Sequence, residues 1–225
     1  IRDRYDIIVF NRSFNDFSNI AFRGNSYETL EAYARKVETR VDKKTRVETR
    51  TIISSPDELA AAMLEGFTVT EDMLGNYSQT TYGRTAPSRS SEETPDGLYH
   101  LHFVPKKLTR EVSAVLHIEG LNNIRSATCR LGGVAESIFL ATGKTSANTV
   151  TQEFTPSNPE FSPGSPFNGT LSCEFEIFGL NVIDNNNLHL DALLVDGKTE
   201  FEGDCTNVKI TENDDGTGSV TLILE

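Results

Sequence analysis

From Leu98 to the end, the sequence is cut into short runs of alternating or apolar character, each closed by a cluster of turn-forming residues. In "EVSAVLHIE" the alternation places Val112, Ala114, Leu116 and Ile118 on one side, and Glu111, Ser113, His117 and Glu119 on the other. Only an extended chain sorts side chains this way, because on a helix the same residues scatter around the axis. Comparable runs are "LYHLHFV", "IRSATCRL", "SIFLAT", "TVTQEF", "GTLSCEFEIF", "LHLDALLV", "TEFEGDCTNVKI" and "SVTLILE", with "GLNN", "SNPEFSPGSPFNG", "DNNN", "VDGK" and "NDDGTG" among the separators. Regularly spaced short strands with such turns predict an antiparallel β-sandwich.

The N-terminal part is less uniform. "YDIIVFN", Tyr5 to Asn11, is a short β-branched and aromatic run that reads as a buried strand. "NSYETLEAYARK" sets Leu30, Tyr33 and Ala34 at helical spacing behind Ser26, which predicts one or two helical turns. "VETRVDKKTRVETRT" alternates a mostly β-branched set (Val37, Thr39, Val41, Val47 and others) with a wholly charged set, so it predicts one strand or a hairpin turning near Asp42, Lys43 and Lys44. Its valine and threonine face is expected to pack inward and its charged face to lie in water. "SSPDELAAAMLEG" carries Ser55 as N-cap, Pro56 at the first helical position, Glu58 three residues after the cap and Gly66 at the end, the punctuation of a short helix. From Gly75 to Gly97 apolar periodicity disappears, so this stretch reads as a polar linker or long surface loop. The expectation is therefore an all-β chain of two domains, residues 1–97 with one or two short helices and residues 98–225.

Composition narrows the function. The 225 residues carry a net charge of -12, and residues 151–225 hold fourteen Asp and Glu against Lys198 and Lys209 alone. Nucleic-acid surfaces need clustered Lys and Arg, so this third is a poor one. The basic residues Arg35, Lys36, Arg40, Lys43, Lys44, Arg46 and Arg50 are interleaved with Glu38, Asp42 and Glu48, without aromatics to stack on bases. No apolar run reaches the roughly 18 residues of a membrane-spanning helix. Cys129, Cys173 and Cys205 lack zinc-ligand spacing; Cys129 and Cys173 alternate with core-type residues, and one disulfide plus one free thiol is compatible with the count.

No GxSxG elbow, phosphate-binding loop, dinucleotide fingerprint or HExxH helix is present. His100, His102, His117 and His189 lack a flanking Asp, Glu or Cys set at short range, although His100 and His102 would share a strand face. "TENDDGTGS" would put Thr211 and Leu222 at the first and twelfth places of a calcium loop, so it reads as a hairpin tip at Asp215 and Gly216. The expectation is no catalytic residue, no metal and no cofactor. With no Trp to stack on sugar rings, a carboxylate-pair glycosidase is disfavoured.

The order "RYDIIVFN", "NSYETLEAYAR", "EGFTVTEDMLG", "FVPKKLTREVSAVLHIEGLNNIRSATCRLGGVAESIFLATG", "EFEIFGL" and "SVTLILE" resembles the fimbrillin-like surface lipoproteins of Bacteroidetes, and within them the anchor-like branch. The resemblance implies two transthyretin-like β-sandwich domains and a place at the cell surface, on the outer membrane or in a fimbrium. It implies opening strands and a lipid-bearing cysteine ahead of Ile1. It also implies that a chain ending on "TLILE" serves as an anchor, tip or accessory subunit in fimbria assembly and adhesion. The implied partners are other fimbrial subunits, joined by β-strand addition along an edge near Ile7 and Val9, and host or bacterial surface ligands. Membrane contact would come only through the lipid anchor. The alternative reading is a glycan-binding surface lipoprotein of a polysaccharide-uptake system.

Overall fold

A computed structural model describes residues 3–41, 49–70, 73, 100–181, 187–205, 208–212 and 220–224. The described N-terminal strands are β1 (Arg4–Phe10), β2 (Ile20–Arg23), β3 (Glu31–Ala34), β4 (Lys36–Val41), β5 (Thr49–Ile53) and β6 (Ala60–Thr68). They are followed by β7 (Lys106–Lys107), β8 (Arg110–Ile118), β9 (Ile124–Ala135), β10 (Ser137–Phe139), β11 (Lys144–Thr145) and β12 (Thr149–Phe154). The last six are β13 (Asn158–Phe161), β14 (Gly169–Ile177), β15 (Leu188–Leu194), β16 (Glu200–Cys205), β17 (Val208–Glu212) and β18 (Val220–Leu224).

These strands form four sheets, in the orders β1-β6-β7, β11-β10-β3-β2, β16-β15-β9-β12-β5-β4 and β13-β14-β8-β18-β17. Pairing is antiparallel except for β5 with β12 and β8 with β18. The six- and five-stranded sheets meet at the stacked rings of Phe154 and Phe175, 4.4 Å apart. Alternate residues from both sheets fill the space between them: Val112, Ala114, Leu116, Phe175 and Ile177 on one side, Ala127, Cys129, Leu131, Val150 and Leu188 on the other. The alternation read in "EVSAVLHIE" is therefore the in-and-out pattern of β8.

Three of the four sheets combine strands from before and after residue 97. β5 lies beside β12, β3 beside β10 and β6 beside β7, while buried Phe17, Ile20 and Ile53 belong to the same core cluster as Val112 and Leu131. The division expected at residue 97 therefore does not separate the sheets or the core. The stretch expected to be a linker, residues 75–97, lies outside the described residues.

Both expected helices are corrected. Ser26 closes a single turn, accepting the Leu30 N–H at 2.9 Å, after which Glu31–Ala34 runs as β3 between β2 and β10. Ala32 and Ala34 alternate into the core, so pairing on both sides outweighs the helical spacing. In the second segment Ser55 caps nothing helical; its Oγ accepts the Glu176 N–H at 2.9 Å. The alanine-rich run after it pairs with β1 from Phe10↔Ala61 to Arg4↔Thr68. Gly66 does take the positive φ of a helix-ending glycine, 71°, but in a β-bulge opposite Asp6, whose Oδ1 accepts the Gly66 N–H at 2.7 Å.

Other expectations shift locally. The VETR segment forms the antiparallel pair β4–β5, and its expected turn at Asp42, Lys43 and Lys44 lies outside the described residues. Val37 does not face the core: a register break between Lys36 and Glu38 leaves it 61% exposed. Residues 100–104 of "LYHLHFV" are irregular, with Val104 84% exposed, so His100 and His102 share no strand face. "NPEF", expected as a turn, is the outermost strand β13, where Pro159 costs no inner ladder bond. The hairpin β17–β18 is present, whereas its expected tip at Asp215 and Gly216 is outside the described residues. All three cysteines are free thiols.

Candidate functional site

Two features of the described surface carry chemistry of their own. The first is β1. It ends its sheet and pairs with β6 alone among the described strands. Ile8 and Phe10 pack against the core, so Ile7 and Val9 share the opposite face, where both are half-buried beside Leu64 and Ala62. Beyond β1, Phe10, Phe14, Phe17 and Phe22 form a cluster with ring centroids between 4.4 and 5.5 Å apart, and Phe14 is 51% exposed. An outermost strand presents N–H and C=O groups along its free side, which is the requirement for pairing with another chain.

The second feature is a charged band on the outer face of the six-stranded sheet. Leu188, Leu190 and Ala192 of β15 point to the core, so His189 and Asp191 point outward. The register aligns Glu153 of β12, Arg130 of β9, His189 of β15 and Asp204 of β16 in one row across four strands. Arg130 donates through Nε to Glu153 Oε2 at 2.9 Å and through Nη1 to Asp191 Oδ2 at 2.6 Å. Burial alone would lower the Arg130 pKa, but the hydrogen bonds to Asp191 and Glu153 outweigh it and hold the guanidinium charged. His189 Nδ1 lies 2.9 Å from Asp204 Oδ1, and its Nε2 lies 3.2 Å from Asp191 Oδ1 and 3.4 Å from Glu202 Oε1.

His189, Asp191 and Glu202 thus converge as groups able to hold a cation, their ligand atoms within 4.8 Å of one another. This corrects the expectation that no acidic residue completes a histidine set at short range. The signal was present as the "HLD" spacing, which puts His189 and Asp191 on one face of a strand. Glu202 arrives through the hairpin "VDGK", whose Asp196 accepts the N–H groups of Lys198 and Thr199 at 2.9 and 2.8 Å. The structure leaves His100, His102 and His117 exposed and outside this group.

Residues 1–155 match a family model described as "Domain of unknown function (DUF5119)". The chain belongs to this family. The matched segment runs from β1 through β12, so it includes Ile7, Val9, Arg130 and Glu153, while β15 and β16 lie beyond it. Among curated proteins, none is significantly similar in sequence to this family member. Its structure is similar to that of a candidate adhesin from Bacteroides ovatus, with a TM-score of 0.54 and 16% identity over 91% of this chain and 66% of that one. A candidate adhesin from Bacteroides thetaiotaomicron is matched with a TM-score of 0.43 and 13% identity over 90% of this chain and 60% of that one. The chain therefore spans somewhat less than two thirds of the length of these structural neighbours.

Proposed function

We propose that this protein acts at the cell surface without catalysis, through protein–protein contact, as an anchor, tip or accessory subunit in fimbria assembly and adhesion. The observation that carries the reading is the fold shared over 91% of the chain with a candidate adhesin at a TM-score of 0.54. The face-to-face packing of the six- and five-stranded sheets is its β-sandwich element, for which the transthyretin-like comparison is our reading. As the outermost strand of its sheet among the described residues, β1 supplies the means of contact: an incoming strand would pair along its backbone, and the alternation of Ile7 and Val9 would select which strand fits. The partners are then other fimbrial subunits or surface ligands, and the protein sits on the outer membrane or in the fimbrium.

The test is fractionation of the native cells, with the protein followed by antibody. Digestion by protease added to intact cells, together with co-sedimentation with sheared filaments, is the expected result. Protection from protease until lysis would overturn the surface placement. Surface exposure without filament association would overturn the fimbrial role.

A further inference from the structure

We propose that His189, Asp191 and Glu202 bind a divalent transition-metal ion of the zinc class on the outer face of the six-stranded sheet. A tetrahedral ion with ligands at about 2.0–2.1 Å holds its donor atoms roughly 3.3–3.4 Å apart. The two distances from His189 Nε2, 3.2 Å to Asp191 Oδ1 and 3.4 Å to Glu202 Oε1, are those of two edges of such a tetrahedron. The Glu202 side chain is 72% exposed, so water or a donor from a partner could reach the ion and complete its coordination.

The surroundings orient the ligands. His189 Nδ1 lies against Asp204 Oδ1, which fixes the ring so that Nε2 and two carboxylate oxygens face one common space. A metal ligand whose other ring nitrogen is held by a carboxylate is the usual second layer of such sites. Asp191 is held in the same way: Arg130 takes its Oδ2 and leaves Oδ1 for the ion, while Glu153 anchors Arg130. One imidazole nitrogen with two carboxylates selects zinc, cobalt or nickel over calcium and magnesium, which prefer oxygen ligands alone. Four carboxylates against one arginine leave the band negative enough to attract a cation.

The experiment uses the tag-free full chain, freed of metal by a chelator and titrated with Zn²⁺ by calorimetry, with Co²⁺ absorbance as a second readout. One equivalent of Zn²⁺ and the intense visible bands of tetrahedral Co²⁺ are expected. His189→Gln should abolish both, and Glu202→Gln, on an exposed side chain that is not needed for folding, should weaken binding strongly. Asp204→Asn should weaken it about 10- to 100-fold by freeing the imidazole. Replacing His100 and His102 together by Gln should change nothing. Absence of saturable binding in the unaltered chain would overturn the proposal. Binding that survives both His189→Gln and Glu202→Gln, or that is lost with His100 and His102, would overturn it equally.

Discussion

Gln152 is fully buried on β12, and neither its Oε1 nor its Nε2 has a hydrogen-bond partner among the described residues. A buried amide left in this state costs about 1–3 kcal/mol. Gln152→Met, similar in shape but without polar atoms, should therefore raise the unfolding free energy by about 1–2 kcal/mol in urea titration. Glu31 shows the opposite case. Burial would raise its pKa, but hydrogen bonds from Arg23 and from Ser137, the latter 2.6 Å from Oε2, bring it below the ordinary 4.5. A lowered carboxyl pKa adds stability that is fully present above the unfolded-state value and lost as pH falls through the folded-state value. Glu31→Gln should thus lower stability by about 1 kcal/mol near neutrality, the deficit shrinking below about pH 4.5. Thermal unfolding of both chains across that range checks it. The thiols follow burial: it pushes the pKa of Cys173 up to about 11 and those of Cys129 and Cys205 upward too. All three should resist alkylation at neutral pH until the chain unfolds, as counted by mass spectrometry.

At the scale of the element, β1 and β6 show how one residue sets a register. Glu65 and Gly66 together oppose Asp6, and Gly66 needs a φ of 71°, which side chains other than glycine rarely adopt. Gly66→Ala should cost about 1–2 kcal/mol of stability, measured by denaturant titration. A Cβ there would meet mainly the Arg4 guanidinium, the mobile end of a long side chain, so backbone strain rather than crowding is the main cost. Sequence patterns were reliable where both neighbours of a strand simply accepted its alternation, as in β8 and β14. They failed at Ala60–Thr68, because alanine favours a helix in isolation and only the pairing with β1 and β7 makes the extended form the better one. They failed at Val37 for a related reason: one extra residue in a ladder reverses which side faces inward.

Across the whole molecule, the segments on either side of residue 97 build common sheets. Residues 98–225 alone would lose β4 and β5 from the six-stranded sheet and β2 and β3 from the four-stranded one. That fragment should fail to give a cooperative unfolding transition and dispersed amide resonances, whereas a fragment folding as stably as the full chain would restore two independent domains. The candidate cation group has the same dependence on long-range order. His189 and Asp191 were legible as neighbours on one strand face, but Arg130 and Glu153 reach them only because β9 and β12 lie alongside β15 in that order. The amino-acid sequence by itself determined that this chain is extended, through side-chain alternation and turn residues that act over a few positions. Which strands adjoin, where ladders slip, and which charges meet were decided by the tertiary structure, because a strand gains its hydrogen bonds and its buried face from partners that can lie a hundred or more residues away, such as Tyr33 beside Ser137.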